Sequence, residues 1–171
     1  MEKVIIKKLD KSHRGNASQF FVAGELCRRG HSAVVTMGNC PNTDILCSNR
    51  EGTKFVHIQV KTFVPKNKTC SVGLKAEKDY GGNFFWVLGG IPTPESLEQF
   101  VYYIIPSKVI SKNVKEEQEI WYNTPGKKGQ RHNITNMRTI TIPPFKKIHP
   151  WDIWDISSYL NRWDLIDEKL K

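Results

Sequence analysis

Apolar residues recur along this chain in two rhythms, one of turns and one of alternation. In "NASQFFVAGELCRRG", residues 16–30, Phe20, Phe21, Ala23, Gly24 and Cys27 keep helical spacing. Asn16 or Ser18 is placed to cap that helix, and Gly30 to end it after Arg28 and Arg29. "HSAVVTM" follows as a short strand. "TDILCSN" and "KFVHIQVKTF" then read as a hairpin across the glycine-bearing turn "REGT". "NFFWVLGG" and "FVYYIIP" predict two more strands, joined by the loop "IPTPESLEQ". After Pro106 a serine opens the helix "SKVISKNVKEEQEIW". The polar stretch "YNTPGKKGQRHNITNMR" predicts a loop, and "TITIP" a short strand. The tail "PWDIWDISSYLNRWDLIDEKLK" predicts a helix, with Ile153, Ile156, Leu160, Trp163 and Ile166 on one stripe. No repeat, low-complexity tract or linker divides the 171 residues, which therefore predict a single domain over 1–171.

The hairpin carries the first chemistry. A turn centred between Glu51 and Gly52 pairs Ile45 with Ile58 and sets Asp44 opposite Gln59. Side chains alternate between faces, so Ile45, Cys47, Val56, Ile58 and Val60 fill the core face. Asp44, Leu46, His57, Gln59 and Lys61 collect on the other. Cross-strand neighbours are close enough to share a ligand, whereas a slip of one residue would scatter the set. A solvated sheet face with a polar pair accounts for the same residues.

Charge narrows the partners. Twenty-six Lys and Arg against 17 Asp and Glu leave +9, an excess suited to a polyanion because each neutralised phosphate releases counterions. Hydrophobic residues at 39% and charged residues at 25% argue against disorder. Cys27, Cys40, Cys47 and Cys70 lack C-x-x-C spacing and a matching histidine pattern, which argues against a zinc site or a disulfide framework. The start "MEKVIIKKLDK" has too short an apolar run for a signal peptide, and "FFWVLGGI" is too short to span a bilayer. The expectation is a cytoplasmic protein with no membrane partner. Neither a phosphate-binding G-x-x-x-x-G-K loop nor a nucleophilic serine elbow occurs.

"TDIL" followed by "IQVKT" is similar to the D…(D/E/Q)-x-K signature of the PD-(D/E)XK nuclease superfamily, the restriction endonuclease-like fold. "SQFFVAGELCRRGHSAVVT" resembles that family's first helix and strand, and "FFWVLGG…FVYYIIPSKVI" the later strands of its small bacterial members. The resemblance covers residues 15–110 and extends weakly to the tryptophan-bearing tail. It implies an α/β fold with a mixed central β-sheet flanked by helices and an αβββαβ-type core. It further implies an endonuclease acting on double-stranded DNA with Mg²⁺, or Mn²⁺ as substitute. On that pattern Asp44 binds the metal, Gln59 takes the second ligand position and Lys61 is the catalytic lysine. The family's first-helix glutamate maps to Gln19, with Glu25 as the alternative; six residues apart, they lie on different faces of the helix. The proline before the aspartate is displaced to Pro41. Gln59 and Gln19 are neutral where carboxylates are common, which predicts weak metal binding.

Four further groups invite a role. Lys127, Lys128, Arg131 and Arg138, with His132, stand in a glycine-bearing loop able to follow a phosphate backbone, or simply to be solvated. Lys7, Lys8, Lys11 and Arg14 add charge before the first helix. His57 shares the Asp44 face, although a lone histidine is more often structural. Trp151, Trp154 and Trp163 fit a core or a homodimer interface better than base stacking. A catalytically silent nucleic-acid-binding protein, and an interaction module of the same fold, stand beside the nuclease reading.

Overall fold

The protein is described by a computed structural model over residues 11–171, with the backbone alone at Lys11. Lys7, Lys8 and the Lys11 side chain lie outside what it describes. Helix α1, Lys11–Arg28, starts before the expected Asn16 or Ser18 cap, and Ser18 is instead fully buried inside it. Its end is as the sequence predicts. Gly30 adopts φ 92°, and the His31 N–H donates back to Leu26 O at 3.1 Å, a left-handed stop that glycine takes without strain.

Strands β1 (Ser32–Val35), β2 (Ile45–Ser48) and β3 (Phe55–Phe63) follow as an antiparallel meander. A three-residue strand β4 (Thr69–Ser71) and a 3-10 turn, Leu74–Glu77, come next. Then come β5 (Phe84–Gly90), β6 (Val101–Pro106), α2 (Ser107–Asn123), β7 (Thr139–Thr141) and α3 (Asp164–Leu170). The main sheet has the order β1-β2-β3-β5-β6, and β4 pairs with β7 in a separate ribbon. β3 and β5 run parallel while the other neighbours are antiparallel, so the sheet is mixed as expected. The αβββαβ order is met only at its start. A strand and a 3-10 turn, not an α-helix, bridge β3 to β5, and α2 follows β6.

Alternation along β3 divides two cores. Val56, Ile58 and Val60 face α1 and α3, packing with Val22, Leu26, Val87, Trp163 and Ile166. Phe63 faces the other way, with Trp86, Leu88, Ile110, Val114, Cys70, Ile140 and Trp154. β5 lies between β3 and β6 with all seven residues buried, which is why "FFWVLGG" shows no alternation. Ser107, expected to cap α2, is buried and makes no capping bond; its Oγ accepts the Tyr80 N–H at 2.8 Å.

The tail is not one helix. Trp154 and Ile156 belong to the core beneath α2, whereas Trp163, Ile166 and Leu170 belong to the core beneath α1. A continuous helix cannot serve both faces of a sheet, so the chain crosses at the β6 edge. There Leu160 bridges to Tyr103, and the Asn161 N–H donates to Tyr102 O at 2.7 Å. Asp155 Oδ1 accepts the Ser157 N–H at 2.9 Å and its hydroxyl at 2.6 Å, local bonds that compete with helix. No helix among the described residues is long and apolar enough to cross a membrane.

Gly90 is closely packed between Phe63 and Val101. A Cβ there would lie 2.7 Å from Phe63 Cζ and closer still to a Val101 methyl. Gly90→Ala is therefore expected to cost about 1–3 kcal/mol. The reading is a lowered urea midpoint at unchanged slope; an unchanged midpoint would show that β3 and β6 have room to move apart.

Candidate active site

The β2–β3 turn sets the site's register. Asn49 Oδ1 accepts the N–H groups of Thr53 at 2.8 Å and Lys54 at 3.1 Å, while Gly52 takes φ 68°. Ile45 thereby pairs with Ile58, as alternation predicts, and the Asp44 N–H donates to Ile58 O at 2.9 Å. β2 ends there, but β3 runs on to Phe63. The Val60 N–H, left without a strand partner on that side, donates to Asp44 Oδ2 at 2.7 Å. Gln59 Nε2 donates to the same oxygen in a short bond. Asp44 and Gln59 thus meet at one point.

Lys61 follows on the same face of β3, half-buried and in no ion pair among the described residues. Burial raises the Asp44 carboxyl above its ordinary value. The Val60 N–H, the Lys61 ammonium, the Gln59 amide and the Lys75 ammonium all pull it back down. A carboxylate held in that balance favours a cation beside it. Lys75, on the Leu74–Glu77 turn, is a member of this patch that the sequence reading missed. Residues 64–82 show no periodicity, and only the fold brings the turn toward Asp44.

The other residues fall into place differently. His57 is exposed, shares a 3.2 Å hydrogen bond with Thr43 Oγ1 and lies parallel to the Phe84 ring, toward the opposite end of β3 from Lys61. Gln19 and Glu25 belong to α1, whose buried residues pack on the sheet face opposite Gln59 and Lys61. Glu25 is engaged by Arg28 at 2.8 Å and Arg29 at 2.9 Å, and Gln19 makes no hydrogen bond to Asp44. Lys127, Lys128 and Arg131 are exposed around a tight turn in which the Gly126 N–H donates to Gln130 O at 2.9 Å. Arg138 is separated from them. It is only 6% exposed, paired with Glu77, and donates to Thr135 O at 2.7 Å and Met137 O at 2.8 Å. Its charge anchors the turn that carries Lys75 and does not reach solvent.

The donor set bears on a metal. No group of three or more His, Cys, Asp and Glu side chains is gathered among the described residues, and Asp44 is the carboxylate that the Gln59 and Val60 hydrogen bonds engage. Mg²⁺ takes oxygen ligands and keeps several waters, often with one or two carboxylates. The Gln59 amide already touches Asp44, and turning it over replaces its NH₂ with its carbonyl oxygen. Two oxygens then face a common point, which fits a weakly held hard cation.

No protein-family model matches the sequence, and no curated protein matches it. Among solved structures, the chain is similar to a bacterial homing endonuclease, I-Ssp6803I, with a TM-score of 0.56 and 16% identity. The match covers 94% of this chain and 95% of that one. At that identity the likeness is one of fold alone: the mixed sheet and the helices of the described residues are arranged as in that protein.

Proposed function

We propose that this protein is an endonuclease that hydrolyses phosphodiester bonds of double-stranded DNA in the cytoplasm, with Mg²⁺ or Mn²⁺, at a site of the PD-(D/E)XK type. The observation that carries the reading is the meeting of Asp44 and Gln59 beside Lys61, in a chain folded like an endonuclease. Asp44 and the Gln59 carbonyl would hold the cation, which when bound polarises the phosphate and activates water. Lys61 supplies positive charge to the phosphoryl oxygens as negative charge builds on them. The Val60 N–H fixes the Asp44 carboxylate in place before substrate arrives. Neither Gln19 nor Glu25 is given a part in this chemistry, since α1 packs on the opposite face of the sheet. Cutting both strands calls for two such sites, hence a homodimer; its contacts must come from outside the tail's buried Trp154, Ile156 and Trp163.

The test is incubation of supercoiled plasmid with purified protein in Mg²⁺. Nicked or linear product, lost in EDTA and in Lys61→Ala, is expected. Intact plasmid in the presence of folded, DNA-bound protein would favour the catalytically silent reading.

Binding is expected to rest on Lys127, Lys128 and Arg131. Replacing all three with alanine should weaken duplex binding on every sequence alike and reduce the slope of log K against log salt by roughly 2–3. A slope that stays the same would take this loop out of the interface.

A further inference from the structure

Beneath α2, on the far side of the β4–β7 ribbon from the main sheet, lies a cavity of about 290 Å³. Cys70 and Ile140 turn inward from the ribbon to the core. Thr69, Thr139 and Thr141, on its other face, line the cavity. The indoles of Trp121 and Trp151 line it too, although one ends α2 and the other belongs to the tail. Each is backed by an imidazole: His132 stacks on Trp121 at 3.9 Å and His149 on Trp151 at 4.7 Å. His132 also meets Trp151 edge-on at 6.4 Å, tying the two loops together.

The charged lining holds two carboxylates, Glu117 and Asp152, and the Arg138 guanidinium, which is paired with Glu77. Glu117 Oε1 accepts the N–H groups of Ile153 at 3.4 Å and Trp154 at 3.2 Å, and Asp152 Oδ2 accepts those of Ile148 at 3.0 Å and His149 at 2.8 Å. Each carboxyl keeps its second oxygen without a hydrogen bond among the described residues. Two basic segments carry the histidines that back the indoles. Lys127, Lys128 and Arg131 precede His132, Lys146 and Lys147 precede His149, and none of the five is in an ion pair among the described residues.

We propose that this cavity binds an unstacked nucleobase carrying an exocyclic amino group, cytosine or adenine, within a nucleic-acid strand held by the surrounding lysines. The volume sits at the low end for ligand pockets and leaves room for one base. Indole faces stack on any base, and free carboxyl oxygens accept from an amino group as they do from cytosine N4. As a rim, the basic side chains would hold the phosphates outside the cavity, away from Glu117 and Asp152. Burial pushes Glu117 up to about 7, so near neutral pH it can also donate to a ring nitrogen. The inference rests on the nucleic-acid reading above but not on cleavage.

Equilibrium binding to single-stranded oligomers of about ten nucleotides tests it. Wild type is expected to bind oligodeoxycytidine about tenfold or more tightly than an abasic phosphodiester chain of equal length, with oligothymidine between them. In Trp121→Ala and in Trp151→Ala the cytidine oligomer should fall toward the abasic value. Trp151 is half-exposed, so its variant serves if the other does not fold. Equal affinity for all three oligomers in wild type overturns the pocket and leaves the basic rim standing. A gap that survives in folded Trp151→Ala also overturns it. No binding of any oligomer overturns the pocket and the nucleic-acid reading together. Free cytidine monophosphate bound as tightly as the oligomer overturns the strand as the source of the base.

Discussion

Asp44→Asn is expected to lower cleavage about a thousandfold or more while raising the melting temperature of the metal-free protein. The loss follows from the role of Asp44 as the carboxylate that meets Gln59: without it the proposed cation loses its anionic ligand, and residues that act as a unit fail together. The gain in stability follows from burial. The folded-state pKa of Asp44 lies above its ordinary value of 3.8, with desolvation as the largest cause. Its contribution to stability is therefore present at acid pH and is lost as pH rises through that raised pKa. At neutral pH the charged carboxylate is a burden on the fold. Asparagine keeps an oxygen for the Val60 N–H and the Gln59 amide, and carries no charge. A gain on the order of 1 kcal/mol would raise the melting temperature by about 2–4 °C in a chain of this size. Thermal melts of both proteins in EDTA, near pH 7 and again in acid, give the answer. The difference should shrink in acid, where Asp44 is neutral. A variant that melts lower than wild type at neutral pH would mean that the carboxylate holds the fold together and is not poised for a cation.

Gln59→Glu is expected to act in the opposite direction. It replaces the amide that donates to Asp44 Oδ2 with a second carboxylate at the same point. Two carboxylates so close cannot both ionise freely, so one is held protonated at a raised pKa. Without metal the variant should melt several degrees below wild type. With Mg²⁺ the added charge strengthens the site, and ligand-linked stabilisation should return the lost stability and exceed it at high cation concentration. Melting curves across a Mg²⁺ titration measure this as a larger metal-induced shift in the variant. Equal shifts in the two proteins would mean that residue 59 faces no cation.

The hairpin that carries these residues was legible because two independent signals agree. Alternation in "KFVHIQVKTF" assigns the faces, and the Asn49–Gly52 turn fixes the register. The central strand was legible as a strand but not as a central one until β6 and β3 were seen on either side of it. The tail misled because helical spacing of Ile153, Ile156, Leu160 and Trp163 is the same whether those residues share a stripe or are dealt out to two cores. β4 was invisible: three residues cannot show alternation, and Cys70 finds its partner Ile140 only across a long stretch of chain. Lys75 was lost with it. Arg138 reads like its basic neighbours in sequence, and nothing local says that Glu77 takes it inward. Trp121 and Trp151 likewise meet only through His132.

The proposed chemistry requires a cation site beside Asp44 and Gln59, where β2 ends, and calorimetric titration of Mn²⁺ into the metal-free protein addresses it without waiting for a substrate. One saturable site per chain is predicted in wild type, weak because Gln59 is a neutral ligand, tightened in Gln59→Glu and absent in Asp44→Asn. Binding of equal strength in wild type and folded Asp44→Asn, or no saturable binding to wild type and Gln59→Glu alike, would contradict it.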